Sequence, residues 1–257
     1  MKPKPRCWLL KRKQRHQRGV SDETFSAQSR ERGLGGRPRA LDERGFALIP
    51  AVLSPEICDE IVGYYADERR FRSRIEMARY AFGRGEYKYF AYPLPKVVQQ
   101  LRDSIYPELA PLANQWAERL GANIRYPERH SDFLEQCHHA GQKRPTPLLL
   151  KYGAGDFNCL HQDLYGETVF PFQLTFFLSQ HGKHFDGGEF ILCEQRTRQQ
   201  SRVEALDPDR GDAIVFSVHH RPVRGLRGYY RATLRHGVST VHSGERYTLG
   251  IIFHDAK

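Results

Sequence analysis

The sequence predicts an α+β chain in which helices come first and a two-sheet β structure follows. Three observations predict it. Apolar residues recur at helical spacing in three stretches between residues 55 and 140. From Pro147 onward the texture changes to short apolar and aromatic runs separated by Gly- and Pro-containing turns. Nothing approaches the ~18 consecutive apolar residues of a membrane span.

Order is expected to begin near Leu41. The run GFALIPAVL (45–53) reads as a strand, and Ser54-Pro55-Glu56 supplies a cap with proline at the first helical position, so that a helix follows through ICDEIVGYYADE. FRSRIEMARY (71–80) and EYKYFAY (86–92) alternate and are rich in aromatics, as strands are. Val97, Val98, Leu101, Ile105, Leu109, Leu112, Trp116 and Leu120 mark a helix over 95–120, with a break expected at Pro107 or Pro111. A third helix is expected from about Pro127 to Ala140.

Strand-like runs then recur at 147–153, 169–179, 188–194, 212–218, 228–239 and 245–254. Asp186-Gly187-Gly188, the DPDRG segment (207–211) and Ser243-Gly244-Glu245 turn the chain between them. Many short strands with such turns point to a sandwich or a double-sheet jelly roll, with helices outside one sheet and a site between the sheets at the open end. The organisation expected is a basic, disordered tail (1–40) and one domain over 41–257, with helical support in 41–146 and the β core in 147–257.

Charge is unevenly placed. The chain's net charge is +10; residues 1–40 hold 12 Lys/Arg against 3 Asp/Glu (+9), leaving 28 against 27 (+1) for the rest. A Gly-, Pro- and Arg-rich leader buries little and touches phosphates weakly at most; a start of translation nearer residue 40 is the other reading. The nearly neutral remainder speaks against a phosphate-tracking groove. Cys7, Cys58, Cys137, Cys159 and Cys193 contain no Cys-x-x-Cys, which argues against a disulfide framework or a structural zinc site and for a reducing cytoplasm. Cys-Trp-Leu-Leu is too short a run for a signal peptide.

Chemistry concentrates in His161-Gln162-Asp163, His236 and Arg246. Two histidines and a carboxylate cover one face of a ferrous ion's octahedron and leave the opposite positions open. On a strand, side chains two apart share a face, so His161 and Asp163 can reach one metal. Two other His-x-Asp pairs compete. His130/Asp132 reads as the start of a polar helix, where such side chains diverge, and His184/Asp186 leads into a Gly-Gly turn. For the third ligand, His236 shares a strand face with Leu234 and Val238, whereas His242 adjoins the Ser243-Gly244 turn.

Arg246 and Thr248 alternate on one face of the last strand, with Tyr247, Leu249, Ile251 and Phe253 on the other. A buried arginine needs an anionic partner, supplied by a ligand carboxylate or by protein Asp or Glu. Tyr152 is a further candidate contact to that ligand or else a core aromatic, and Asn158 lines the pocket or makes a turn. His219, His220 and Arg221 are candidates for the pocket rim. His138 and His139, as neighbours on a helix, do not share a face. An open iron site beside a carboxylate clamp is what an enzyme using iron and a keto-acid cosubstrate requires.

Tyr152, His161-Gln-Asp163, the Gly-Gly-Glu-Phe strand (187–190), the Gly-Asp-Ala-Ile-Val-Phe strand (211–216), and His236 with Arg246 ten positions later resemble the iron(II)/2-oxoglutarate-dependent dioxygenases, on their prolyl 4-hydroxylase-like side. Residues 45–140 are similar to the helical support of an uncharacterised bacterial branch of that superfamily. The resemblance implies a double-stranded β-helix of jelly-roll, cupin-like form. It implies Fe(II) held by His161, Asp163 and His236, with 2-oxoglutarate anchored by Arg246, assisted by Tyr152 and Thr248. It further implies O₂ as oxidant, ascorbate as stimulant, and oxidative decarboxylation to succinate and CO₂ coupled to hydroxylation of a small-molecule or protein substrate. Some members carry lysine where this chain has Arg246, which keeps the charge and changes the clamp's geometry. Three rivals remain: an AlkB-like oxygenase of alkylated nucleic acid, a non-catalytic cupin-like binding protein, and a zinc hydrolase.

Overall fold

The computed structural model describes residues 37–257. The expected tail therefore lies outside the described residues, except for 37–40, which open a helix instead.

That helix, α1 (Arg37–Arg44), leads into β1 (Phe46–Ile49) and then α2 (Pro55–Gly63). Ser54 caps α2 by accepting from the Ile57 N–H at 3.4 Å, with Pro55 in the first turn. The aromatic stretch forms β2 (Phe71–Glu76), a 3₁₀ turn (Met77–Tyr80), β3 (Gly83–Arg84) and β4 (Glu86–Phe90). Helix α3 (Lys96–Arg119) runs unbroken through Pro107 and Pro111, where a break was expected. Its buried face, including Leu101, Tyr106, Leu109, Ala113 and Trp116, outweighs the lost backbone bonds. Helix α4 (His130–His139) is shorter than the expected 127–140.

The remaining strands are β5 (Leu148–Tyr152), β6 (Phe157–His161), β7 (Phe172–Phe177), β8 (Phe185–Gly187), β9 (Phe190–Gln195), β10 (Arg202–Leu206), β11 (Ala213–Ser217), β12 (His220–Gly225), β13 (Gly228–Val238), β14 (Val241–Gly244) and β15 (Arg246–Ile252). They build a major sheet in the order β1-β11-β7-β15-β5-β4-β2 and a minor sheet in the order β10-β9-β13-β6-β3, with β12 on β13. The structure is a double-stranded β-helix. Residues 41–146 supply strands as well as helices: β1, β2 and β4 widen the major sheet, and β3 joins the minor one.

The main core lies between α2, α3, α4 and the back of the major sheet, with Leu149, Phe172, Leu174, Phe176, Leu249 and Ile251 facing the helices. Arg102 on α3 locks the two layers together. Wholly buried, it donates to the Ile252 and Phe253 carbonyls at 3.0 Å each and to Asp255 Oδ1 at 2.8 Å. Among the described residues, no helix is long and apolar enough to cross a membrane.

Candidate metal and cosubstrate site

The inner faces of the two sheets meet over a cavity of about 180 Å³, lined by His161, Asp163 and His236 and by Tyr152, Arg246 and Thr248. Strand pairing sets the first cluster. β13 runs antiparallel to β6 with His236 directly opposite His161, which brings the ring centroids to 4.1 Å. Asp163 is not on that strand. β6 ends at His161 and Asp163 follows in the loop, so its return toward the imidazoles rests on side-chain bonds and not on strand alternation. Tyr165 Oη donates to Asp163 Oδ1 at 2.7 Å and Gln173 Nε2 donates to Oδ2 at 2.9 Å.

The result is one nitrogen or oxygen from each of the three residues, all within 4.8 Å of one another. His161 Nδ1 lies 2.8 Å from the Cys159 carbonyl, so it carries the proton and Nε2 is left with its lone pair facing Asp163 at 3.6 Å. His236 Nε2 faces the other carboxylate oxygen at 3.3 Å. Burial alone would raise the Asp163 pKa; the hydrogen bond from His236, the electrostatic pull of the neighbouring His161 and His236 rings and the Tyr165 hydroxyl hold it well below the usual carboxylate range. Burial, reinforced by His161, lowers the His236 pKa and favours the neutral imidazole that a metal needs.

The cosubstrate end is built by β15 and β5, whose register sets Arg246 opposite Tyr152. Arg246, Thr248, Gly250 and Ile252 line the cavity, while Leu249 and Ile251 lie in the helix-facing core. Arg246 is 2 % exposed, and its Nε and Nη1 have no hydrogen-bond partner. No described Asp or Glu pairs with it; the rings of Tyr152, Phe177 and Phe185 surround it at 5.5–5.8 Å. Burial pushes its pKa down to about 10. A buried guanidinium with orphaned donors is costly unless an anion arrives, and a keto-diacid's distal carboxylate matches its fork. The N, N, O donor set likewise suits ferrous iron. Asn158 lines the same cavity and donates to Tyr152 Oη at 3.4 Å.

Gln173 was not singled out from the sequence. It is buried on β7, bridges Asp163 and His236, and has an unpartnered Oε1. A glutamine inside the apolar run PFQLTFFLS was the available signal. Tyr165 is a second omission. The proposed rim residues are not on the cavity. Arg221 is buried between Glu194 and the Asp42 carbonyl, and His219 and His220 stack on each other with centroids 3.5 Å apart. His242 is exposed on β14 and stands outside the cluster. His130 is not on a polar surface but buried, bonded to Asp103 and the Phe253 carbonyl. His138 pairs with Asp255, and His184 Nδ1 accepts from the Gln180 N–H.

The chain thus combines a double-stranded β-helix with a candidate His–Asp–His metal site and a buried arginine in one cavity. Residues 85–256 match the family described as "Oxygenase, catalysing oxidative methylation of damaged DNA", and the chain belongs to that family. An uncharacterised protein of Mycobacterium tuberculosis (strain H37Rv) is 49% identical over 167 residues, covering 65% of this chain and 72% of its own. Among solved structures, a Pseudomonas putida prolyl-4-hydroxylase superposes with a TM-score of 0.53 at 13% identity, covering 88% of this chain and 100% of that one. A Phytophthora capsici prolyl 4-hydroxylase gives 0.52 at 14% identity, covering 91% and 66%. At that identity, the likeness speaks for the fold.

Proposed function

We propose that residues 41–257 form a single oxygenase domain that uses Fe(II), O₂ and 2-oxoglutarate to hydroxylate a C–H bond of a substrate admitted between the two sheets. His161, Asp163 and His236 hold the iron; Arg246 and Thr248 grip the far carboxylate of 2-oxoglutarate, with Tyr152 against it. Bound there with O₂, the iron and keto acid supply the oxidising chemistry, releasing succinate and CO₂. The protein's part is placement. The Cys159 carbonyl fixes the His161 ring, Tyr165 and Gln173 aim the Asp163 carboxylate, and Tyr87, Leu148, Leu150 and Ile252 keep the cavity apolar. A cytoplasmic location and stimulation by ascorbate belong to the same reading.

The observation that carries this reading is the meeting, in one cavity, of the His–Asp–His cluster and an arginine with unpartnered donors. The experiment is succinate release from 2-oxoglutarate with ferrous iron. Turnover in the parent and none in Asp163→Ala supports it; equal turnover in both overturns the assignment.

For the substrate, the first reading is a small molecule or a peptidyl residue; the prolyl-hydroxylase likeness of the fold lends support to the peptidyl one. A second reading, an alkylated nucleobase, draws support from the family description and from the cavity mouth. There Tyr80 and Phe82 stack at 5.5 Å and 21°, are 56% and 48% exposed, and Phe82 lines the cavity. Succinate release stimulated by methylated oligonucleotide, and not by prolyl peptides, would select this reading.

A further inference from the structure

Away from the cavity, the minor sheet carries a projection that the oxygenase chemistry does not use. β12 and β13 pair from His220↔Thr233 to Gly225↔Gly228, whereas β9 meets β13 only over Thr233–Val238. Past β9 the two strands continue as a ribbon whose base (Arg221, Pro222, Val223, Ala232) is buried and whose end, residues 224–229 with Arg231, is exposed. Leu226 and Arg227 make its tip, and Leu226 is fully exposed.

The ribbon is cationic throughout. Residues 213–244 contain five arginines and no Asp, Glu or Lys. Arg224, Arg227, Arg231 and Arg235 are exposed, as is Arg198 on the neighbouring β9–β10 loop. None of these five has an ion pair among the described residues, whereas Arg196, Arg202 and Arg221 beside them are all paired with Glu. Arg198 and Arg231 line one shallow basin together with Gln195, Gln199, Thr197 and Thr233. Burial, then the neighbouring His219 ring and last the Arg231 charge lower the pKa of the His220 imidazole, to about 4, so that it sits neutral beside Arg231. At the other edge, Arg119 lies over the Tyr229 ring at 5.1 Å and holds the ribbon against the end of α3.

We propose that this ribbon is a docking surface for duplex nucleic acid, held through its phosphodiester backbone. Shape and charge favour that occupant. A two-stranded ribbon is one of the two elements the major groove of B-form DNA admits. Arginine forks match phosphate oxygens bidentately, and all five free cations are arginine. Arg231 and Arg235, four residues apart on one face, stand about 13 Å apart along the strand, the length of about four phosphates of one DNA strand. An exposed leucine between arginines at the tip is the kind of wedge that groove-binding proteins set between base steps. The surface lies on the outer face of β13, whose inner face carries His236, so it binds independently of what the cavity admits.

The test is fluorescence anisotropy of the full chain against a random duplex of about twenty base pairs over a salt series, with phosphatidylserine vesicles as a second arm. R224A/R227A/R231A should weaken duplex binding uniformly across sequences and flatten the log–log salt dependence by about 2–3. The corresponding triple-lysine variant should restore the slope, and thermal unfolding and 2-oxoglutarate turnover should match the parent in both. An unchanged slope in the alanine variant, no measurable duplex binding by the parent, or tighter binding to the vesicles than to the duplex overturns the proposal.

Discussion

Replacing Arg246 with methionine should move stability and ligand affinity in opposite directions. In the ligand-free chain the guanidinium is buried with Nε and Nη1 unpartnered, and burial pulls its pKa from 12.5 to about 10. A depressed pKa in a cation means that the charged form is destabilised by folding, fully so below the folded value. The shift corresponds to about 3 kcal/mol at neutral pH. Methionine fills much of the same volume without the charge. Allowing for imperfect refilling, the ligand-free variant should gain about 2 kcal/mol, or roughly 4–8 °C in Tm. Binding runs the other way. Losing a desolvated arginine–carboxylate pair costs about 3–5 kcal/mol, so 2-oxoglutarate affinity should fall by about 10²–10⁴-fold. Differential scanning fluorimetry at graded 2-oxoglutarate measures both: the parent's Tm climbs with ligand, whereas the variant starts higher and stays flat. A variant that melts below the parent without ligand, or responds equally to 2-oxoglutarate, refutes the reasoning.

Three further perturbations test other parts of the account. His254 is wholly buried and its pKa is lowered by burial, and secondarily by the Arg102 charge, to about 4. The neutral form is the one folded, so its contribution is complete above about pH 6.5 and is lost as pH falls toward 4, about 3 kcal/mol in all; urea melts of His254→Gln should lose that part of the acid sensitivity. Arg102→Ala leaves Asp255 buried without its cation and should cost about 3–5 kcal/mol, again by urea melts, with a milder loss in Arg102→Lys. Under the nucleobase reading, Tyr80→Ala with Phe82→Ala removes about 1–3 kcal/mol of stacking. It should raise KM for a methylated oligonucleotide without changing substrate-free 2-oxoglutarate turnover; an unchanged KM would remove the pair from substrate contact.

The parts legible in the sequence are those that repeat a simple period. Alternation in RYTLGIIF placed Arg246 and Thr248 on the cavity side of β15, and Leu249 and Ile251 in the core, as the structure has them. The same logic placed His236 inward on β13. The strand carrying His161 was expected to hold Asp163 as well, with Asn158 just before it; β6 instead spans Phe157–His161, and its bounds were not legible because FNCLH does not alternate, being half exposed and bulged where it meets β13. Asp163 reaches the imidazoles from a loop, held by Tyr165 and Gln173, which are two and ten residues away, and strand geometry does not encode that. β8 and β14 pair only with each other, over three and four residues, too short to carry periodicity. Pro107 and Pro111 misled because the local cost of proline is visible in sequence while the tertiary burial that offsets it is not. Averaging charge over residues 41–257 hid the carboxylate-free stretch 213–244, although reading the chain in shorter windows exposes it.

Anaerobic titration of the full chain with ferrous iron and 2-oxoglutarate tests the central assignment most directly, by the visible charge-transfer absorption of a keto acid chelated to ferrous iron. The band should saturate at one equivalent of iron in the parent and fail to form in His161→Ala, Asp163→Ala and His236→Ala. Its absence from the parent, or its persistence in those variants, would contradict the assignment.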